Sequence, residues 1–176
     1  MNNSDLSSPL PHATIGVGDV RLSLHNINQI KQAALTLFSQ GKRNAFIYSH
    51  DLEPRILDDV RIARAVSELA RYSRYSRIEV LLSDVDDVMA RGHRWLELFQ
   101  RLSSKIEVRV IHDDYQHIPF AFSIVDECAL LYRSNTAEYE GSVHFNDRHA
   151  CAQKLIYFRE VWDMSRAASE LRRLFL

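Results

Sequence analysis

Apolar positions along this chain recur with two alternating periods, one near 3.6 residues and one near two. After Asn26, the residues Ile27, Ile30, Ala34, Leu37 and Phe38 fall at helical spacing. Asn26 stands as N-cap with Gln29 three residues on, as in a capping box, and Gly41 closes the helix. Lys42-Arg43 then leads into Asn44–Tyr48, a short run of strand character that ends on Ser49-His50-Asp51. Polar residues at the C-terminal end of a strand are where α/β folds place binding groups. Asp58 or Asp59 caps a second helix with Val60, Ala63, Val66, Leu69 and Ala70 on its buried face, and Ile78–Leu82 is a second strand. A third helix follows from Asp84, with Val88, Trp95, Phe99 and Leu102 as its apolar stripe. Asp84, Asp86 and Asp87 suit a helix N-terminus, and capping accounts for them without a metal.

Ile106–Ile111 alternates charged and apolar residues as a third strand. A polar link, His112 to His117, delivers the chain to two apolar runs, Phe120–Val125 and Cys128–Tyr132, hinged at Asp126-Glu127. Such a pair predicts a tight hairpin with an acid at the bend and an exit through Arg133-Ser134-Asn135. Gly141–Phe145 is one more short strand. Asn146 or Asp147 caps a long helix that buries Cys151, Leu155, Phe158 and Trp162, and a last short helix runs from Ser165 into Leu174–Leu176. Strands alternating with helices, then a hairpin, predict a mixed α/β sheet flanked by helices on both faces. Residues 1–20 carry few large apolar side chains and are expected as a mobile tail, leaving residues 21–176 as a single domain.

The bulk numbers narrow the function classes. A formal charge of -1 gives no overall attraction to nucleic acid or acidic membranes, so any such binding has to come from a local patch. One stretch qualifies: Arg71-Tyr-Ser-Arg74-Tyr-Ser-Arg77 interleaves cations and aromatic rings. It reads either as a surface for a phosphate backbone, through charge and stacking, or as a solvated helix end whose arginines complement the dipole. Cys128 and Cys151 lie in apolar segments and are expected as buried thiols, with no zinc or disulfide spacing. The N-terminus lacks the pattern of a secretory signal, and no apolar run reaches membrane-spanning length, so a soluble cytoplasmic protein is expected. No cofactor and no metal are expected.

The order of elements, with the hairpin and the long helix, resembles one half of the phospholipase D superfamily, from about Asn26 to Trp162. Ile124-Val125-Asp126 matches the end of that family's His-x-Lys-x-x-x-x-Asp motif. Arg133-Ser134-Asn135 resembles its Gly-Ser segment, and Phe158 with Trp162 resembles its helix signature. Aligned on Asp126, Pro119 stands in the place of the nucleophilic His and Ala121 in the place of the phosphate-binding Lys. The resemblance implies a chemistry in which a His nitrogen forms a phosphohistidine while the Lys neutralises the phosphoryl oxygens. Proline and alanine supply neither function. The chain is also similar to a degenerate phospholipase D-like domain of bacterial proteins, found alone or C-terminal to GNAT-type acetyltransferases. The matching pieces are the Asp84 turn with Gly92-His93, Leu131-Tyr132-Arg133, Tyr139-Glu140-Gly141 and Leu171–Leu174. No glycine-rich acyl-carrier loop is present, so acyl transfer is not expected.

Two readings from different classes follow. One is a catalytically inactive phospholipase D-like domain that binds a phosphorylated ligand, nucleic acid or a protein partner. Its pocket would be formed by Asp126, Arg133, Ser134 and Asn135, with His50 and His117 at the rim. Arg133 is the best anion ligand among these, because its planar fork grips phosphate oxygens in pairs. The alternatives residue by residue are a turn-stabilising acid at Asp126 and a surface salt bridge at Arg133. The other reading is a phosphodiesterase or nuclease with a rearranged centre that uses His112, His117 or His144 with Asp126. The resemblance also brings in a homodimer as a candidate assembly, since halves of that superfamily pair across their active-site faces. An accessory role beside a separate enzyme is a further candidate.

Overall fold

The computed structural model describes Leu10 and residues 12–172, without the side chain of Arg172. In chain order the elements are β1 (Arg21–Leu24), α1 (Ile27–Gln40), β2 (Asn44–Ser49), α2 (Val60–Arg71), β3 (Arg77–Leu82), α3 (Val85–Arg91), α4 (Trp95–Arg101) and β4 (Ile106–Val110). They continue as β5 (Ala121–Val125), β6 (Ala129–Arg133), β7 (Gly141–His144), α5 (Arg148–Met164) and β8 (Arg166–Ala167). One mixed sheet takes all eight strands in the order β1-β7-β6-β5-β2-β3-β4-β8. The middle of the sheet is parallel, β2 to β3 to β4, and the chain reverses at β5, which pairs antiparallel with β2.

Strand alternation sends one set of side chains to each face. Ala45, Ile47, Val80, Val108, Val125 and Leu131 meet the buried sides of α1, α2, α3 and α4. Phe46, Tyr48, Leu81, Phe122, Ile124 and Leu130 meet α5 through Cys151, Phe158, Val161 and Trp162. Phe158 and Trp162 stack at 5.6 Å between ring centroids. The expected mixed sheet with helices on both faces is thus present. Cys128 and Cys151 are both buried, and burial pushes the Cys151 thiol up to about 12.

The capping expectations hold in detail. Asn26 Oδ1 accepts from the Gln29 N–H at 3.0 Å, and Gln29 reaches back to the His25 N–H at 2.7 Å. Asp59, Asp84 and Asp147 each accept from the first turn of α2, α3 and α5. Gly41 does end α1, but with extended backbone rather than a left-handed turn. It is glycine for lack of room: a Cβ there would overlap Leu69 Cδ1 and come within 2.7 Å of Val125 Cγ1.

Five expectations need correction, the first being Val60, which is exposed at the start of α2 rather than on its buried face. The third helix is two, α3 and α4, because Gly92 turns left-handed at φ 75 between them. Residues 12–20 are not a free tail. Gln40 clamps them, donating to the Ala13 carbonyl at 2.8 Å and accepting from the Ile15 N–H at 2.9 Å, while the Gly16 N–H donates to the Phe145 carbonyl. Residues 1–9 and 11 lie outside the described residues. The last helix is instead β8 followed by a 3-10 turn at Ser169–Arg172, and residues 173–176 lie outside the described residues. The long helix α5 buries Val161, whereas Leu155 is only half-buried.

Gly41→Ala forces a methyl group into the closed junction of α1, α2 and β5. It is expected to cost about 1–3 kcal/mol, measured as a lowered urea midpoint with an unchanged slope.

Candidate functional site

Because β5 runs against β2 and β6 runs against β5, the start of β5 and the end of β6 meet the C-terminal end of β2. On the α1–α4 face this brings together a row of side chains. Ser49 ends β2, Ala121 begins β5, and Arg133 ends β6 directly across from Ala121. Ser49 and Arg133 are both buried, and Ser49 Oγ and Arg133 Nε make no hydrogen bond among the described residues. Beyond Arg133 lies Gly141, where a Cβ would stand 3.0 Å from Arg133 Cγ and 2.8 Å from the Tyr132 carbonyl, so glycine leaves the arginine its space.

Arg133 is the centre of this end of the sheet. Its Nη1 pairs with Glu53 Oε1, and its Nη2 donates to the carbonyls of Thr136 (3.1 Å) and Glu138. The guanidinium also lies 5.8 Å from the Tyr139 ring centroid. Burial pulls its pKa down from the ordinary arginine value, with Tyr139 and Asp51 acting in the opposite direction. Glu53 reaches it from a single π-helical turn, Glu53–Leu57, which periodicity did not foretell. Leu52 and Glu53 enter that turn at φ 59 and 39, a left-handed conformation that side-chain-bearing residues rarely adopt. Two contacts hold it. Asp51 Oδ1 accepts from the Glu53 N–H at 2.9 Å, and His93 holds the Leu52 carbonyl. Trp95 N–H donates to His93 Nδ1 at 3.1 Å, so the ring proton sits on Nε2, which donates to Leu52 O at 3.3 Å.

The sequence-selected residues divide between the two ends of the sheet. His50, His117, Ser134 and Asn135 lie at the Arg133 end: His50 follows β2, His117 precedes β5, and Ser134-Asn135 follow β6. His50, His117 and Ser134 are exposed, while Asn135 Oδ1 accepts from the Ala137 N–H in a local turn. Asp126 is elsewhere, which corrects its grouping with Arg133. It sits on the β5–β6 bend, one whole strand or about 16 Å from Ala121. There its Oδ1 accepts from the Arg43 and Asn44 N–H groups at 2.8 and 3.1 Å, and its Oδ2 from Lys42 at 3.0 Å. Asp126 and Glu127 have φ 54 and 55, the paired left-handed values of a tight hairpin turn. His117 and Asp126 are therefore separated by the full length of β5. His144 lies near the Asp126 end and bonds Asp147 at 3.2 Å, while His112 follows β4 at the other. Phe120 and Phe122 belong to the opposite face, where they pack with Tyr48, Tyr132, Tyr157 and the Lys154 ammonium, 4.2 Å from the Tyr132 centroid.

Charge divides along the same axis. The segments leaving β2, β3 and β4 carry Asp51, Glu53, Asp58 and Asp59, then Asp84, Asp86 and Asp87, then Asp113 and Asp114. Arg61, Arg91 and Arg94 pair with Asp59, Asp87 and Asp58. Asp84, Asp113 and Asp114 have no Arg or Lys partner among the described residues, and Asp86 acts on Arg166 through its charge alone. Arg71, Arg74 and Arg77 stand at the far end, all exposed, around the entry to β3. Nothing in the sequence pattern singles out Glu53 or Tyr139 as a site residue, whereas Ser49 lies in the polar strand end that it does single out. The acidic exits were open to a count of charge per loop.

The sheet order, the reversal at β5 and the single helix on one face define a phospholipase D-like fold. Nuc from Salmonella typhimurium, a phospholipase D family member, superposes with a TM-score of 0.62 at 14% identity, over 85% of this chain and 98% of that one. NucT from Helicobacter pylori gives 0.61 at 11% identity, over 85% and 99%. TrmBL2, an archaeal chromatin protein with a novel mode of DNA binding, gives 0.61 at 16% identity over 90% of this chain, which spans 57% of the length of TrmBL2. At these identities the likeness is one of fold. No curated protein matches the sequence. The chain belongs to the family described as a domain of unknown function, DUF7931, whose model matches residues 26–174. Among the described residues, no helix is long and apolar enough to cross a membrane.

Removing one partner of the buried pair leaves the other charge without compensation. Arg133→Met is expected to cost about 3–5 kcal/mol in a urea titration, and adding Glu53→Leu should recover part of that loss. His93 gives a pH dependence. Burial holds its folded pKa below the ordinary 6.5, so the unfolded chain binds the proton first as pH falls. Its contribution is complete above the ordinary value and is lost as pH drops through the lowered one. The urea midpoint should fall from pH 8 to pH 5, and His93→Gln should reduce that fall.

Proposed function

We propose that this chain is a phospholipase D-like domain without phosphohistidine chemistry, acting as a binding or accessory module. One observation carries the reading: at the end of β5 where the superfamily motif has its His and Lys, this chain has Pro119 and Ala121. The nearest cation on that face, Arg133, comes from the neighbouring strand and is held by Glu53 and two carbonyls. A phosphoryl group arriving there would find a buried, already paired guanidinium and a rim of carboxylates. Both oppose an anion, since like charges raise the energy of the complex and an engaged fork has no free pair of donors. That TrmBL2, a chromatin protein, shares the fold supports a binding role for such a domain.

The phosphodiesterase reading loses its pairing of His117 with Asp126. His117 and Asp126 lie at opposite ends of β5, beyond the reach of a shared proton. Purified protein is expected to leave bis(p-nitrophenyl) phosphate and a single-stranded oligonucleotide uncut at rates indistinguishable from buffer. Turnover that disappears in His117→Ala would overturn the proposal.

A further inference from the structure

We infer that the end of the sheet opposite Arg133 is a binding surface for single-stranded nucleic acid. The inference deepens the binding reading above and rests on it. Three loops lead into the parallel strands at this end: Lys42 and Arg43 before β2, Arg71, Arg74 and Arg77 before β3, and Arg101 and Lys105 before β4. The same loops contain no acidic residue. Arg101 pairs with Glu97, but the other six cations have no carboxylate partner among the described residues.

The loops are joined into one surface. Arg77 N–H donates to the Arg43 carbonyl at 3.0 Å, Ser76 Oγ to the Lys42 carbonyl at 3.1 Å, and Ile78 N–H to the Lys105 carbonyl at 2.9 Å. Lys105 Nζ donates to the carbonyls of Ser73 and Arg74 at 3.1 and 2.7 Å, fixing the shape of the Tyr72–Ser76 loop. A shallow cleft of about 110 Å³ is lined by Arg77, Ser103, Ser104 and Lys105. Glu79 and Glu107 also reach it, but they pair with Arg159 and Arg109. Asp126 lies close by, and its carboxylate is turned onto three backbone N–H groups.

Two further features select the ligand class. Tyr72 and Tyr75 are 59% and 72% exposed, large rings that a folding argument would bury. Arg74 lies over the Tyr75 ring at 4.6 Å and donates to its hydroxyl, so cation and ring are held together. Cations that track a backbone beside open rings are what an unstacked strand of bases requires. An anionic bilayer offers the charge without the bases, which makes it the control ligand.

The test is fluorescence anisotropy with labelled oligothymidine and oligouridine 20-mers, titrated at 20 to 200 mM salt. Binding is expected at low salt and should weaken steeply as salt rises, through counterion release. Arg71→Gln/Arg74→Gln/Arg77→Gln should weaken binding about tenfold or more. It should also flatten the log–log salt slope by up to about 2, at roughly 0.7 per phosphate on a single strand. Lys42→Gln/Arg43→Gln, exposed and in a different loop, should weaken it independently, so a folding defect in the first variant does not decide the matter. Tyr75→Ala should weaken binding several-fold at every salt concentration, and Arg64→Gln on α2 should have no effect. No binding at low salt, full binding by both loop variants, or equal affinity for phosphatidylserine vesicles would each overturn the site. Cleavage of the oligonucleotide, with binding still sensitive to both loop variants, would overturn the non-hydrolytic reading and leave the site standing.

Discussion

Three consecutive backbone N–H groups, those of Lys42, Arg43 and Asn44, converge on one carboxylate, that of Asp126. The contact joins residues more than eighty positions apart, and the architecture depends on what it fixes. It pins the β5–β6 bend to the entry of β2, and so sets β5 antiparallel in a sheet whose preceding strands are parallel. Side-chain direction alternates along a strand, so a slip of one residue here would carry Arg133 to the α5 face and Phe122 to the other. The carboxylate is thus a register device, and the composition of the distant end follows from it.

That distant end is organised around one buried ion pair. Across from Ala121, Arg133 supplies a cation, and Glu53 supplies the anion that pairs with it. The pair requires a left-handed entry at Leu52 and Glu53, a cost of order 1–3 kcal/mol for each such residue. Asp51 and His93 hold the turn, and the Cβ-less Gly141 makes room on the other side. Asp51, Leu52, Glu53, His93 and Gly141 come from three separate segments, yet each has one readable role around a single guanidinium. A surface salt bridge, the plain expectation for Arg133, is half of the answer: the salt bridge is real and the surface is not.

Much of the architecture was legible because it rests on local physics. Asn26, Asp59, Asp84 and Asp147 cap helices, and a side-chain acceptor before an apolar period has few other uses. The Asp126-Glu127 hairpin follows from two short apolar runs and a two-residue polar hinge. What escaped is either short or non-local. β1 and β8 are edge strands of four and two residues, too brief for a period to register. Val88, Trp95 and Phe99 fit one helical stripe, so nothing in their spacing revealed the break at Gly92. The site grouping failed for a different reason. Asp126 and Arg133 are seven residues apart in sequence, but a hairpin turns that nearness into opposite ends of a sheet. Pattern reading reports which residues are close along the chain, and only pairing shows which of them share an end.

The polarity of the molecule has an ordinary source that has to be separated from any functional one. Helix N-termini attract acids and C-termini attract bases, by about 0.3–1 kcal/mol each within the terminal turn. Alternating β and α elements align those termini with opposite ends of the sheet, so some segregation of charge is built into the fold. Asp59 and Asp84 belong to that account at one end, and Arg71 and Arg101, in the last turns of α2 and α4, at the other. Arg74, Arg77 and Lys105 do not. They lie three or more residues past the helix ends, where the dipole has decayed; Arg77 and Lys105 donate to loop carbonyls and Arg74 to the Tyr75 hydroxyl. Capping also gives no reason for Tyr72 and Tyr75 to stand in solvent beside them. What remains after the helix contribution is removed is cations whose side chains pair with no carboxylate, next to exposed aromatic rings, at the end of the sheet opposite Arg133.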